Sequence, residues 1–212
     1  MSERDTSAVA ESERDITLGL LQAVEENSTV TQRSVAGELG IALGLANAYL
    51  KRCVKKGLIK VKQIPPNRYA YYLTPKGFTE KSRLTAEYLS DSFTFFRRAR
   101  RECEELFERC RTRGWTRIAL CGRSDLGEIA SLCAAERGIV LAGVVEAEAK
   151  AEERFYNLPV APSVLELGPL DAVIVTDLKR PQATYDAMRA ALSEDRVLVP
   201  RLLRVNRNGG AG

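Results

Sequence analysis

Two sets of residues in this chain are of types, and at spacings, that do chemistry. The first is cationic. Between Ser28 and Arg83 stand eleven Lys and Arg (positions 33, 51, 52, 55, 56, 60, 62, 68, 76, 81 and 83) against two acids, Glu38 and Glu80, a local charge of +9. Bases at that density suit a polyanion, because each one set on a phosphate releases a condensed counterion. The second set is Gly122, Ser124 and Gly127 in "CGRSDLGEIA", a G-x-S-x-x-G pattern. Glycines between a strand and a helix let the backbone approach a pyrophosphate, and the helix N-terminus offers N–H groups and a positive dipole end. Here Leu126 and Gly127 would supply the N–H groups, the Ser124 hydroxyl would donate to a phosphate, and Arg123 would pair with one. Glu146 lies 19 residues beyond Gly127, where an acid for a ribose hydroxyl is expected.

Other chemistry is thinly supplied. There is no histidine, which removes the commonest general base and every Ser-His or Cys-His pair. The five cysteines (53, 103, 110, 121 and 133) are odd in number and widely spaced, with no C-x-x-C, so they read as small apolar residues of a reducing compartment. No catalytic residue and no metal ligand is assigned, and no cofactor is required. No apolar run reaches the ~18 residues of a membrane span, and the polar start "MSERDTSAVAESERD" is not a signal peptide, so a cytoplasmic protein is expected.

The elements that must position these residues follow from periodicity. Residues 1–14 read as a disordered tail. A helix from about Asp15 to Glu26 turns Ile16, Leu20, Leu21 and Val24 to one side, and Thr31 caps a second helix that Gly40 closes. A third, from about Ala42 to Lys56, turns Leu45, Tyr49, Leu50 and Val54 inward and leaves Asn47, Lys51, Arg52 and Lys55 on other surfaces. "LIKVKQI" and "YAYYL" flank the turn "PPN" as a hairpin. Residues 15–77 therefore have the order of a winged helix-turn-helix. The third helix opens with small residues, Ala42, Gly44, Ala46 and Ala48. Gly44 costs about 1 kcal/mol of helix propensity, which close approach to a groove explains better than helix stability does. Asn47 would pair with adenine, Lys51, Arg52 and Lys55 would hold phosphates, and Asn67 and Arg68 would stand at the wing tip against the minor groove or backbone. Gln32 and Arg33 on the supporting helix are further candidates.

From Gly77 to about Arg113 nothing breaks the helical pattern, and Thr85, Tyr88, Ser92, Phe95, Ala99, Cys103, Leu106 and Cys110 recur at steps of three or four. A helix that long, about 50 Å, needs a partner for its stripe, most simply the same helix of a second copy. Two shorter helices packed on the neighbouring domains, with a break near Ser90–Ser92, is the other reading. Residues 78–113 are thus a linker or dimerisation helix. Beyond them "TRIALCG", "IVLAGVVE", "DAVIVTD" and "RVLVPRLL" read as strands alternating with helical stretches, so 114–205 should form a small α/β domain with a mainly parallel sheet. From Gly114 onward twelve bases meet thirteen acids, so this half is near neutral. Thr176 and Asp177 lie at a strand's carboxyl end beside the expected crevice. Residues 206–212 read as a disordered tail.

"ELGIALG" at 38–44, "LKRCVKKGLIKVK" at 50–62 and "YYLTPKG" at 71–77 resemble the winged helix-turn-helix regulators of the MarR type, in particular the subgroup associated with exopolysaccharide gene clusters. The resemblance spans about 65 residues and implies a homodimer on a double-stranded DNA operator. One residue departs from the pattern: Ala42 stands where Ser or Thr often caps the recognition helix and contacts a phosphate. "CGRSDLGEIA", "GVVE" and "LPV" resemble the small Rossmann-like domain that opens sugar-nucleotide acyltransferases and related polysaccharide enzymes. That likeness implies a nucleotide or nucleotide-sugar ligand.

Three functions follow. The first is a DNA-binding transcriptional regulator, not an enzyme, whose Rossmann-like domain senses a nucleotide-type effector. The second is a nucleotide-dependent enzyme of sugar-nucleotide metabolism with an accessory winged helix, for which Tyr185 would be a poor base. The third is a regulator whose second domain only dimerises.

Overall fold

A computed structural model describes residues 3–64, 68–150 and 152–207. The chain divides into two units, one up to Ser92 and one from Phe93. In the first, helices α1 (Glu3–Glu26), α2 (Gln32–Glu38) and α3 (Leu43–Lys55) are followed by the antiparallel hairpin of β1 (Ile59–Ile64) and β2 (Arg68–Leu73). Leu20, Leu21, Val24, Val35, Tyr49, Leu50, Cys53 and Leu58 form its core.

Sequence details account for the joints. Thr31 caps α2 in a reciprocal box with Ser34, and Gly40 and Gly57 leave α2 and α3 in the left-handed region that glycine adopts freely. "TPKG" is a lock. The Thr74 hydroxyl donates to the Gly57 carbonyl (2.6 Å) and accepts from the Gly77 N–H (3.0 Å), while Pro75 opens α4 (Pro75–Thr112). Gly77 has to be glycine, because a β-carbon there would lie 2.1 Å from the Leu58 carbonyl oxygen.

The first helix starts at Glu3, not at about Asp15 after a tail. Residues 3–14 contain no glycine or proline to stop it, and Glu13 and Arg14 are tied down by ion pairs to Arg52 and to Glu87 and Asp91. In α3 the inward residues are Ala46, Tyr49, Leu50 and Cys53. Leu45 and Val54, expected inside, are 42% and 36% exposed.

The second unit is built on a six-stranded sheet in the order β5-β6-β4-β3-β7-β8. Its strands are β3 (Ile118–Cys121), β4 (Leu141–Val145), β5 (Arg154–Phe155), β6 (Leu158–Ala161), β7 (Ala172–Val175) and β8 (Val197–Leu198). All neighbours are parallel except β5, a short antiparallel edge. Alternate residues serve two cores. Ile118, Leu120, Val144 and Ile174 meet α5 (Asp125–Glu136) and the carboxyl half of α4 on one face. Ala119, Cys121, Val145 and Val173 meet α6 (Pro181–Ala191) on the other.

The helix α4 is continuous, so no break occurs near Ser90–Ser92. Its stripe is divided all the same. Ala99, Cys103, Leu106 and Cys110 are buried against this chain's own sheet cluster, joined by Phe107, and so are not available to a second copy. Three further expectations change. "LPV", left without an element, is strand β6, and "RVLVPRLL" supplies only the two residues of β8 before a 3-10 turn at Arg201–Leu203. Asn206 exchanges hydrogen bonds with Gln182, while residues 208–212 of the expected tail lie outside the described residues. All five cysteines are buried and free, and burial pushes the Cys103 thiol up to about 12 and Cys110 to about 11. No helix among the described residues is long and apolar enough to cross a membrane.

Candidate functional sites

The outward side of α3 follows from its inward residues. With Ala46, Tyr49, Leu50 and Cys53 inside, Gly44, Ala48, Lys51 and Lys55 stand exposed along the opposite line at steps of three and four. Leu43 and Leu45 flank Gly44, 47% and 42% exposed. Ala42 is the N-cap and makes no side-chain cap bond. A β-carbon on Gly44 would meet nothing within 4 Å, so nothing inside the protein requires glycine there.

The other expected contacts divide. Arg52 is held by Glu13 at 3.2 Å and lies 5.9 Å over the Tyr49 ring, so it is not a free phosphate ligand. Asn47 is half-buried, and its Oδ1, the atom that would accept from adenine N6, is buried with no hydrogen-bond partner among the described residues. Arg33 is exposed, whereas Gln32 is half-buried. Asn67 lies outside the described residues, as does the side chain of Arg68, whose backbone pairs with Ile64.

The charge count also changes once the fold is known. Lys81 pairs with Glu25, Arg83 with Glu80 and Glu87, and Lys76 donates to the Lys56 carbonyl. Among the described residues the side chains of Arg33, Lys51, Lys55, Lys56, Lys60 and Lys62 remain exposed with no ion pair or hydrogen bond. Lys60 and Lys62, on β1, are counted in the cationic set but are not among the candidate contact residues. Their signal was the alternation of "IKVKQI", which sends both lysines to one side of a strand.

In the second unit the chain begins at central β3, moves out through β4 and β6, then returns to the far side of β3 for β7 and β8. That reversal leaves a crevice at the carboxyl ends of β3 and β7. A cavity of about 490 Å³ lies there, lined by Arg123, Ser124, Glu146 and Asp177 among others. An adjoining one of about 280 Å³ has a more apolar floor, including Val145, Pro162, Ala183 and Met188.

Each residue of the glycine pattern has an internal task. Gly122, at φ +103°, passes so close to Asp177 that a β-carbon would fall 2.5 Å from that residue's own. A β-carbon on Gly127 would lie 3.2 Å from the Gly122 carbonyl oxygen. Ser124 caps α5 by accepting from the Gly127 N–H (3.3 Å) and donates its hydroxyl to the Thr176 carbonyl (2.5 Å). Thr176 is fully buried and donates to the Gly122 carbonyl (2.6 Å), and Leu126 is core.

Arg123 is taken up by Glu153 and Glu146, whose Oε2 also accepts the Arg123 N–H at 3.0 Å. Asp177 accepts from the Lys179 and Arg180 N–H groups and from Thr184. Burial works to raise the Asp177 carboxyl, but these hydrogen bonds outweigh it and hold it below the usual range. The larger cavity carries five carboxylates, at 125, 128, 146, 148 and 177, against Arg123, Lys179 and Arg180. Such a lining offers acceptors to hydroxyl groups more readily than donors to a pyrophosphate. Among the described residues no group of three or more Cys, Asp or Glu is placed to hold a metal ion.

Residues 13–60 match the family model described as winged helix-turn-helix DNA-binding, which is the class that the first unit's helices and hairpin define. The chain is similar in structure to MepR, a transcription regulator of the Staphylococcus aureus multidrug efflux pump MepA, at 24% identity over 39% of this chain and 61% of that one, with a TM-score of 0.34. A mutant of the S. aureus protein bound to an oligodeoxyribonucleotide matches at 24% identity over the same shares, with a TM-score of 0.33. The multiple antibiotic-resistance repressor MarR of Listeria monocytogenes matches at 18% over 52% of this chain and 82% of its own, with a TM-score of 0.31. This chain thus spans about three fifths of the first of these. No curated protein matches it.

Proposed function

We propose that the chain is a cytoplasmic DNA-binding transcriptional regulator that grips duplex phosphates with α3 and the β1–β2 hairpin as a homodimer. The observation that carries the reading is the exposed line of Gly44, Ala48, Lys51 and Lys55 on the second helix of a helix-turn-helix, with Lys60 and Lys62 on the adjacent strand. Lysines position the protein on the backbone, and the small residues let the helix enter the major groove. Support for a homodimer comes from α4. From Tyr88 to Arg98 only Phe95 is even half-buried, and Tyr88, Leu89, Phe93 and Phe96 stand exposed at steps that suit one helical stripe. A second copy of the helix would cover them.

The α/β unit would sense a nucleotide or nucleotide-sugar at the crevice beside Gly122, with sugar hydroxyls facing Glu146 and Asp177. The likeness to exopolysaccharide-associated regulators suggests polysaccharide-related target genes. The test is fluorescence anisotropy on a palindromic duplex selected from a random pool. With about eight lysines engaged per dimer, affinity should fall by about 10³-fold or more between about 50 and 200 mM salt. Affinity that does not respond to salt would overturn the reading.

A further inference from the structure

We infer that a second cleft of the α/β unit, beside the carboxyl end of β8, binds a small phosphorylated metabolite. The cleft encloses about 420 Å³, within the range of small-molecule sites, and is separate from the glycine-turn crevice in every lining residue. Four arginines line it, at 109, 201, 204 and 207, and Leu106, Val199, Pro200 and Val205 give it apolar walls.

Its two acids cancel only one of those charges. Glu102 is buried and turned to structural use, accepting from the Leu202 N–H (2.7 Å) and from Arg98 Nε (3.0 Å). Glu105 is committed to Arg201 at 2.6 Å, and Arg207 donates to the Val199 carbonyl at 3.0 Å. Arg109 and Arg204 are left exposed, and their side chains make no hydrogen bond or ion pair among the described residues.

Arg204 has a second peculiarity. Its backbone is left-handed, φ 51° and ψ 34°, a conformation that glycine adopts freely and arginine does not. The 3-10 turn before it is pinned by the buried Glu102 carboxylate, so the fold holds a residue in a costly backbone conformation in the lining of the cleft. Two planar guanidiniums with uncommitted donors match a doubly charged phosphate, and the apolar walls match the ring of a nucleoside or sugar. The concave shape favours such a molecule over the backbone of a duplex. Nothing here depends on the crevice beside Gly122 being occupied.

The test is titration calorimetry of the full chain with uridine monophosphate and with inorganic pyrophosphate, two probes that separate ring from phosphate recognition. At least one should bind, about tenfold or more weakly in Arg109→Ala and in Arg204→Gly, and unchanged in Arg123→Ala. Arg204→Gly also removes the left-handed cost, so its melting temperature should not fall, and Arg109→Ala changes only an exposed helix position. Three results overturn the inference: neither probe binding below about 1 mM, binding lost in Arg123→Ala but kept in the other two, or the arginine variants weakening only duplex DNA.

Discussion

Arg52 of α3 lies 3.2 Å from the carboxylate of Glu13 on α1, so a base on the proposed DNA-facing helix is already occupied in the free protein. Both side chains are about half exposed, which limits the pair to about 0.5 kcal/mol. Glu13→Gln frees Arg52 and removes a negative charge from the edge of the interface. Duplex affinity should rise about twofold or more, with a steeper salt slope, while stability is nearly unchanged. Anisotropy titrations at several salt concentrations check both; an unchanged slope would mean that Arg52 never reaches a phosphate.

Two glycines make an opposed pair. Gly77→Ala drives a β-carbon into a backbone oxygen 2.1 Å away and should cost about 3 kcal/mol or more in a denaturant titration. Gly44→Ala meets nothing within 4 Å and should stabilise α3 by about 1 kcal/mol. If α3 enters the groove at Gly44, the same variant should nevertheless weaken duplex binding severalfold. A Gly44→Ala protein that is both more stable and equally tight would remove close approach as the reason for this glycine.

These cases mark how far the sequence was readable. Helix, wing and "TPKG" exit were legible because cap, turn and strand residues act locally, and Thr74 and Gly77 stand where that chemistry requires. The facing of α3 was misread because Leu45 and Val54 outweigh Ala46 and Cys53 in hydrophobicity, although the smaller pair completes the inward stripe. The partner of Arg52 was missed because Glu13 is 39 residues away in a stretch taken for a tail. In the α/β unit the glycine pattern sits at the strand-to-helix turn as expected. Only the fold shows that Ser124 and Thr176 spend their hydroxyls on one another's loops. "RLLRVNR" at 201–207 spaces arginines three apart, a signal that a strand reading hid.

Asp177 makes the crevice acid-sensitive. Its carboxyl is held below the ordinary 3.8, so its stabilising effect is fully present above that pH and is lost as the pH falls through the lower folded value. Asp177→Asn leaves the Lys179 and Arg180 N–H groups an uncharged acceptor, removes the second oxygen that accepts from Thr184, and should cost about 1–3 kcal/mol near neutral pH. Because the variant no longer titrates there, its stability should decline less steeply than wild type below about pH 4. Chemical denaturation across pH 2.5–7, followed by circular dichroism, separates the two curves; parallel declines would show that other carboxylates carry the acid response.

The α4 stripe gives the test of assembly. Phe93 is 58% exposed, and Leu89 and Phe96, one turn before it and one after, are 46% and 37% exposed. A glutamate at 93 leaves α4 intact, since glutamate is a good helix former and the position belongs to no core cluster among the described residues. In a paired helix, however, it would bury an unpaired charge against a second copy of the same apolar stripe. Phe93→Glu should therefore run as a monomer in light scattering at concentrations where the wild type is a dimer. It should keep its melting temperature within a few degrees and lose most affinity for a palindromic duplex while retaining weak binding to a single half-site. Phe107→Glu is the contrast. Phe107 is fully buried in the sheet cluster, so that variant should unfold the α/β unit whatever the oligomeric state. A Phe93→Glu protein that remains dimeric would assign the exposed stripe to some contact other than self-pairing.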